Sequence, residues 1–206
     1  MLLMHGLGDT SQGWSDVAMM LAKEFPFLKL VLPTAPTKPV TLNGGERMPS
    51  WYDIIGLDSR AKETCEGIDD SVSTINSLIQ NEINSGIKSE RIIVAGFSQG
   101  GAMAITTGLK FPSKLGGVVA LSGYLPRPNE FVPSAANKNT KVFFGHGDED
   151  DVVQLPWAQL SADKLKGLGV TNVEFKIYKG MPHSACRSEI DDVIDFVRSA
   201  MGSDEL

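Results

Sequence analysis

The chain has 206 residues, of which 42% are hydrophobic and 21% are charged, so we expect one soluble globular domain over residues 1–206. A net charge of -6 without a run of Lys or Arg argues against nucleic acid, and against an anionic membrane surface, as the main partner. Two cysteines are too few for a disulfide framework, and no stretch has the apolar length of a membrane span or signal peptide, so a cytoplasmic location is expected.

Short apolar runs alternate with helical patterns along the chain. Strands are predicted where the apolar runs stop at turn residues, at 92–95, 117–121, 142–144 and 173–178, after a first apolar run at 28–32. Helices are predicted where apolar residues recur every three or four positions, at 68–83, 102–109, 155–168 and 188–201. Strands separated by helices indicate an α/β fold with three layers, in which a mostly parallel sheet is covered on both faces.

Two stretches show no period. Residues 34–53 form a long segment rich in Pro and Gly, and the apolar residues at its end (Met48, Trp51 and Tyr52) favour a functional loop over a purely solvated one. Residues 124–139 form a second connection, which is too short for a helical cap domain. We therefore expect an open and shallow active site.

The most informative motif is GFSQGG at residues 96–101, directly after a predicted buried strand. A Gly-x-Ser-x-Gly turn between a strand and a helix holds a serine hydroxyl above the sheet, and its glycines remove side chains that would collide with the turn. The alternative is an ordinary glycine-rich turn. The strand before Ser98 and the helix after it favour a nucleophile, with the Gln99 amide beside it as an oxyanion donor.

A serine nucleophile requires a base, and the chain has only three histidines. Chain order in this type of fold is serine, acid, histidine, and only His183 follows both other candidates. The acid comes from the acidic segment HGDEDD at residues 146–151, in which spacing alone does not choose between Asp148 and Asp150. The alternative for this segment is a solvated acidic loop or a helix cap.

A second oxyanion donor is expected in the loop after the first strand. That loop is HGLGD at residues 5–9, where two glycines allow a sharp turn that directs the Leu7 amide toward Ser98. An ordinary strand-to-helix turn is the competing interpretation.

Taken together, the chain resembles the acyl-protein thioesterase (lysophospholipase/carboxylesterase) family of α/β-hydrolases. The motifs that carry the resemblance occur in the family's order and span nearly the whole chain: HGLGDT at 5–10, PTAP at 33–36, MPSWYDI at 48–54, GFSQGGAM at 96–103, HGDEDDVV at 146–153 and GMPHSAC at 180–186.

The resemblance implies roles for individual residues. It implies that Ser98 is the nucleophile, His183 the base and Asp150 the acid, with Leu7 and Gln99 as oxyanion donors. It also implies an apolar acyl groove, for which a place in the core is the alternative at every position; the matching positions besides Leu7 are Met48, Trp51, Ile54, Ile55, Leu57 and Val152. Neither a cofactor nor a metal is implied.

The resemblance further implies the substrates and partners of the protein. S-acylated proteins and lysophospholipids are the expected substrates, transient contact with a membrane surface is compatible with them, and the expected state is a monomer or a weak homodimer. Two rival functions remain. One is a broad-specificity carboxylesterase for short chains, and the other is a non-catalytic ligand-binding protein on a hydrolase scaffold.

Two features depart from the family pattern. Asp151 stands where relatives often carry a proline, and it adds charge beside the acid. The chain also begins almost at the HGLGDT motif, so residues 1–4 are predicted to form only a shortened N-terminal strand. We expect a weaker sheet edge and a poorly held oxyanion loop as a consequence.

Overall fold

The structure is a computed structural model that describes residues 1–56 and 64–201. Its centre is a sheet of five strands that all run parallel, in the spatial order β1-β4-β5-β6-β7. The strands are β1 (Leu2–Met4), β4 (Ile93–Phe97), β5 (Gly117–Leu121), β6 (Val142–Gly147) and β7 (Val173–Tyr178). A separate antiparallel hairpin consists of β2 (Thr37–Val40) and β3 (Glu46–Pro49).

Helices cover both faces of the central sheet. They are α1 (Ser15–Glu24), α2 (Ile68–Asn84), α3 (Gln99–Lys110), α4 (Leu155–Gly167) and α5 (Arg187–Met201). Buried side chains from α1 and α5 pack on one face, and those from α2, α3 and α4 pack on the other. The predicted three-layer α/β fold is confirmed, and the central strands are buried because both of their faces meet helices.

Strand β1 is the short stub that the sequence predicts. Its three residues pair in parallel with β4, from Leu2 opposite Val94 to Met4 opposite Gly96. On its other side, Val31 makes an isolated bridge, in which the Leu3 amide donates to the Val31 carbonyl at 2.9 Å. The predicted apolar run at 28–32 therefore contributes one bridge to the sheet edge.

Helix α1 is an element that the apolar pattern did not predict. Only Ala18 and Leu21 of its residues are buried, whereas Met19 is 62% exposed. The buried stripe is thus narrow, and apolar residues that face solvent obscure it in the sequence pattern. Helical periodicity is weak under those conditions.

The segment at 34–53 also differs from its prediction, since it contains the β2–β3 hairpin. Only Val40 of its strand residues is buried, so the two strands do not show the apolar alternation that marks a half-buried strand. Gly44 and Gly45, with φ of 65° and 86°, make the turn that joins them. The other irregular connection, at 124–139, contains one short 3₁₀ turn (Ala135–Asn137), which agrees with the prediction that it forms no helical cap.

Candidate active site

Ser98 occupies a sharp turn between strand β4 and helix α3. Its backbone has φ 53° and ψ -119°, a positive-φ conformation that a residue with a Cβ adopts only under strain. The turn is anchored on both sides, because the Ser98 amide donates to the Leu121 carbonyl at 2.8 Å and the Ser98 carbonyl accepts from the Ala102 amide at 3.0 Å. The hydroxyl thereby projects at the carboxyl edge of the sheet.

Two glycines of the motif permit this turn. A Cβ on Gly96 would lie 2.2 Å from the Gly100 carbonyl oxygen, and a Cβ on Gly100 would lie 2.2 Å from the Met4 carbonyl oxygen. Both obstacles are backbone atoms, so no side-chain rotation can relieve them. The motif needs glycine at these positions for steric reasons, as the sequence pattern predicts.

His183 lies in the loop between β7 and α5 and contacts Ser98 directly. Its Nε2 is 2.9 Å from the Ser98 hydroxyl oxygen, and its Nδ1 is 2.7 Å from Oδ2 of Asp150. Because a carboxylate only accepts, Nδ1 carries the proton, and Nε2 is left to accept from the serine hydroxyl. The three side chains therefore form one line of hydrogen bonds with the imidazole in the middle, and the His183 side chain is 17% exposed.

The Asp150 carboxylate is buried at the end of that line. Its Oδ1 accepts hydrogen bonds from the amides of Val152 and Val153, at 3.0 Å and 2.8 Å. Burial by itself favours the neutral acid, but the hydrogen bond and charge of His183 and the Val153 amide outweigh it, so the pKa of Asp150 lies below its usual value. The carboxylate is thus kept ionised behind the imidazole.

Asp148 and Asp150, between which spacing did not choose, have different surroundings in the structure. Asp148 is exposed, and its Oδ1 accepts from the Gly180 amide at 2.6 Å, away from the imidazole. Glu149 and Asp151 are also exposed. Of the four carboxylates in this segment, Asp150 alone lies at hydrogen-bond distance from His183 among the contacts of the described residues.

The two predicted oxyanion donors lie on the same cavity as Ser98. Gln99 is the first residue of α3, so its amide is among the N–H groups that find no acceptor within a helix. Leu7 follows Gly6, where a Cβ would stand 3.4 Å from the Cβ of Ser98. This placement is compatible with oxyanion binding, and the role of both amides stays a prediction.

The loop at residues 5–9 is held by several contacts, whereas a poorly held loop was expected. His5 is buried, and its Nε2 accepts from the Ala35 amide at 3.0 Å, so the proton is on Nδ1, which donates to the Gly6 carbonyl at 2.7 Å. Burial lowers the pKa of His5 and keeps this neutral form. The Gly8 amide donates to the Pro49 carbonyl at 2.9 Å. These bonds tie the loop to residues 35 and 49.

The side chain of Gln99 connects α3 to the end of the hairpin segment. Its Oε1 accepts from the Trp51 amide at 2.9 Å, and its Nε2 donates to the Tyr52 carbonyl at 2.7 Å. The side chain is buried, so both ends of the amide are satisfied where water is excluded. Sequence reasoning assigned only the backbone of Gln99 and missed this structural role.

A cavity of about 500 Å³ opens over Ser98. Apolar side chains line most of it, together with the candidate catalytic residues. The lining consists of Gly6, Leu7, Asp9, Gly13, Trp14, Val17, Leu42, Ile54, Phe97, Ser98, Gln99, Tyr124, Val152, His183, Ser184 and Ala185. Such a cavity suits an apolar chain next to a reactive centre.

Only some of the residues predicted for the acyl groove line this cavity. Of the predicted positions, Leu7, Ile54 and Val152 line the cavity. Trp51 does not, because it is buried in the core with its indole N–H bonded to the His5 carbonyl. Met48 and Ile55 are also outside the lining, the former against Asn43 and the latter 52% exposed. Leu57 lies outside the described residues.

Several lining residues escaped the sequence analysis. Val17 lies in the first turn of α1, which the pattern did not predict, and Trp14 directly precedes that helix. Tyr124 begins the second irregular connection. Phe97 precedes the serine, and its ring packs on His183 at 4.8 Å between centroids and on Trp14 at 5.2 Å. The position of Phe97 inside the serine motif could have indicated that it lies at the site.

Within residues 1–56 and 64–201, no group of three or more His, Cys, Asp or Glu side chains is arranged to hold a metal ion. In the same ranges, none of the helices is both long and apolar enough to cross a membrane.

Comparison with known sequences identifies relatives over nearly the whole length of the chain. The model of the phospholipase/carboxylesterase family matches residues 1–201. The chain is 41% identical over 217 residues to acyl-protein thioesterase 1 of Cryptococcus neoformans, covering 97% of this chain and 91% of the relative. It is 39% identical over 213 residues to acyl-protein thioesterase 1 of Saccharomyces cerevisiae, covering 98% and 92%.

Solved structures agree with the sequence comparison. Arabidopsis thaliana SOBER1 superimposes with a TM-score of 0.87 at 29% identity, over 98% of this chain and 98% of that one. Zea mays acyl-protein thioesterase 2 superimposes with a TM-score of 0.81 at 28% identity, over 98% and 93%. The chain therefore belongs to the phospholipase/carboxylesterase family of α/β-hydrolases and is a hydrolase.

Proposed function

We propose that this chain is a serine hydrolase that cleaves acyl thioesters and esters, with Ser98 as nucleophile, His183 as general base and Asp150 as the acid that orients the base. One observation carries the proposal: His183 lies 2.9 Å from the serine oxygen and 2.7 Å from the Asp150 carboxylate. Serine, histidine and aspartate in this order of contacts form the machinery of acyl transfer.

Acylation begins when the Ser98 oxygen attacks the acyl carbonyl carbon while His183 Nε2 takes the hydroxyl proton. The amides of Leu7 and Gln99 bind the oxyanion that develops. The ionised Asp150 stabilises the imidazolium, because its lowered pKa keeps it charged over the working pH range. His183 then gives its proton to the leaving thiol or alcohol, and the acyl group remains on Ser98.

Deacylation repeats these steps with water. His183 takes a proton from a water molecule that attacks the acyl-enzyme carbonyl, and the same amides bind the second oxyanion. The proton passes to the Ser98 oxygen as the fatty acid leaves. Loss of one oxyanion donor typically costs about 2.7–4 kcal/mol in barrier height.

The substrates we propose are S-acylated proteins, with lysophospholipids as a second class. The apolar lining of the cavity supports a fatty acyl chain, since each methylene that leaves water contributes about 0.8 kcal/mol. Two relatives named acyl-protein thioesterase 1, with coverage above nine tenths of this chain, support the thioester class.

We propose a cytoplasmic location for the protein, and a single domain over residues 1–206 that acts as a monomer or weak homodimer. Transient contact with a membrane surface would give access to lipid-anchored substrates. It is supported by the exposed apolar side chains of Leu42 and Val152 at the cavity, which are 36% and 38% exposed.

A serine-directed fluorophosphonate probe tests the proposed nucleophile. The wild-type protein should label, and Ser98→Ala should not label and should lose turnover of an S-palmitoyl peptide. No labelling of folded wild type would favour a non-catalytic ligand-binding protein. Equal labelling of Ser98→Ala would show that another residue is the nucleophile. Either result would contradict the proposal.

A series of acyl chain lengths separates the two enzymatic functions. We expect kcat/KM to rise from short to long p-nitrophenyl esters, and an S-palmitoyl peptide to be turned over faster than a short-chain thioester. A profile that stays flat or falls beyond short acyl groups would instead identify a short-chain carboxylesterase.

A further inference from the structure

His146 is a fully buried histidine that the proposed reaction does not use. It lies at the end of β6, where the acidic segment begins, and it is 0% exposed. Its Nε2 is 2.6 Å from the Val153 carbonyl oxygen. Because a carbonyl only accepts, Nε2 carries the proton and the ring is a donor at this position. Nδ1 is buried and has no hydrogen-bond partner among the described residues.

The same Nε2–H faces the candidate acid. It lies 3.4 Å from Asp150 Oδ2, the oxygen that accepts from His183 at 2.7 Å. The carboxylate is therefore flanked by two imidazoles on one oxygen and by two backbone amides on the other. The hydrogen bond from His146 to Val153 joins the two ends of the segment that carries Asp150. It thereby limits where the carboxylate can move.

We propose that His146 is a positioning residue for hydrolysis, which holds Asp150 at the distance and orientation that His183 requires. This inference rests on the proposed function, because it assumes that Asp150 acts through His183. Burial lowers the pKa of His146, so the ring stays neutral and serves as a fixed dipole beside the carboxylate. The titratable groups that face it are Asp150 and His183.

Substitutions at His146 should act on turnover more than on binding. In His146→Leu the donor is lost, and we expect kcat for p-nitrophenyl octanoate to fall by on the order of 10²-fold, with KM nearly unchanged, since a small misplacement of a catalytic group has effects of this size. His146→Gln places an amide N–H near the position of Nε2 and should recover most of the loss. His146→Asn, whose amide is about one bond shorter, should recover less.

A double-mutant cycle separates positioning from a general structural role. In an Asp150→Asn background, His146→Leu should reduce kcat by less than about threefold, because the group through which it acts is already gone. Equal losses in both backgrounds would overturn the inference. So would wild-type kcat in His146→Leu, or activity in His146→Asn that matches or exceeds that of His146→Gln.

Two controls keep the outcomes distinct. If His146→Leu fails to unfold cooperatively in urea, the ranking of the Gln and Asn variants decides the question alone. If Ser98→Ala or Asp150→Asn retains full turnover, the proposed function fails. If those two lose turnover while His146→Leu retains it, only the role of His146 is refuted.

Discussion

The Trp51 indole donates its Nε1–H to the His5 carbonyl oxygen at 2.9 Å. This bond joins the end of the hairpin segment to His5, the first residue of the loop at residues 5–9, and the two rings pack with centroids 5.2 Å apart. On its other side, the Trp51 amide is bound by the Gln99 side chain. Trp51 thus links the loop that carries Leu7 to the helix that carries Gln99.

Replacing Trp51 with Phe should weaken both the loop and the fold. The buried His5 carbonyl loses its donor, which costs about 1–3 kcal/mol in the free energy of unfolding. We expect kcat for p-nitrophenyl butyrate to fall about tenfold as the Leu7 amide loses its fixed position. Trp157→Phe, on α4 and away from the cavity over Ser98, is the matched control. A Trp51→Phe enzyme with wild-type kcat would show that the loop does not depend on this bond.

Gly100→Ala tests the steric account of the serine turn. Its Cβ would approach the Met4 and His5 carbonyl oxygens to 2.2 Å and 2.6 Å, so β1 and the helix start must separate. We expect a loss of about 3 kcal/mol or more, on the scale of severe overpacking, in urea unfolding, together with loss of activity.

Gly167→Ala provides the comparison, because nothing lies within 4 Å of a Cβ at that position on α4. This substitution should leave activity unchanged and should stabilise the protein by up to about 1 kcal/mol. If the two alanine variants behaved alike, the packing argument would be wrong.

The sequence predicted the layers of the fold because the central strands and most helices bury broad apolar faces. It predicted the meeting of Ser98 and His183 because chain order in this fold is restrictive. It could not choose between Asp148 and Asp150, since both are in one loop and differ only in which way the backbone directs them. The amides of Val152 and Val153, which fix Asp150, are contacts that side-chain identity does not encode.

The acyl groove was the least predictable part of the site, for a physical reason. Apolar residues line grooves and fill cores alike, so residue type does not separate Trp51 in the core from Ile54 in the cavity wall. Trp14 and Val17 were missed together with α1, whose exposed methionine obscured its narrow buried stripe.

Val17→Phe tests whether the cavity holds the acyl chain. Val17 lines the cavity from α1, and a larger ring there displaces several methylene contacts of about 0.8 kcal/mol each. We expect kcat/KM for p-nitrophenyl palmitate to fall about tenfold or more, with little change for the butyrate ester. Val132→Phe, at a residue that is 70% exposed and outside the lining, is the control. Equal effects on both esters would mean that the acyl chain of the substrate does not bind in this cavity.

Glu189 gives the protein a stability that depends on pH. It lies in the first turn of α5 with its side chain buried against Gly145. Burial raises the pKa of Glu189 from its usual 4.5 to about 8; the nearby Cys186 amide opposes this shift only in part, and Asp192 adds to it. The folded protein therefore prefers the neutral acid at neutral pH.

The sign of the effect follows from the two pKa values. An unfolded chain releases this proton near pH 4.5, and the folded chain does so only near pH 8, so the free energy of unfolding falls as pH rises between those values. Glu189→Gln keeps the shape without the ionisation. In urea unfolding at about pH 5, 7 and 9, the free energy of unfolding of the Gln variant should rise relative to that of wild type through that window, by several kcal/mol at most. Glu46→Gln, at an exposed residue, is measured alongside as the control. A difference between Glu189→Gln and wild type that stays constant with pH would mean that Glu189 ionises normally in the folded protein.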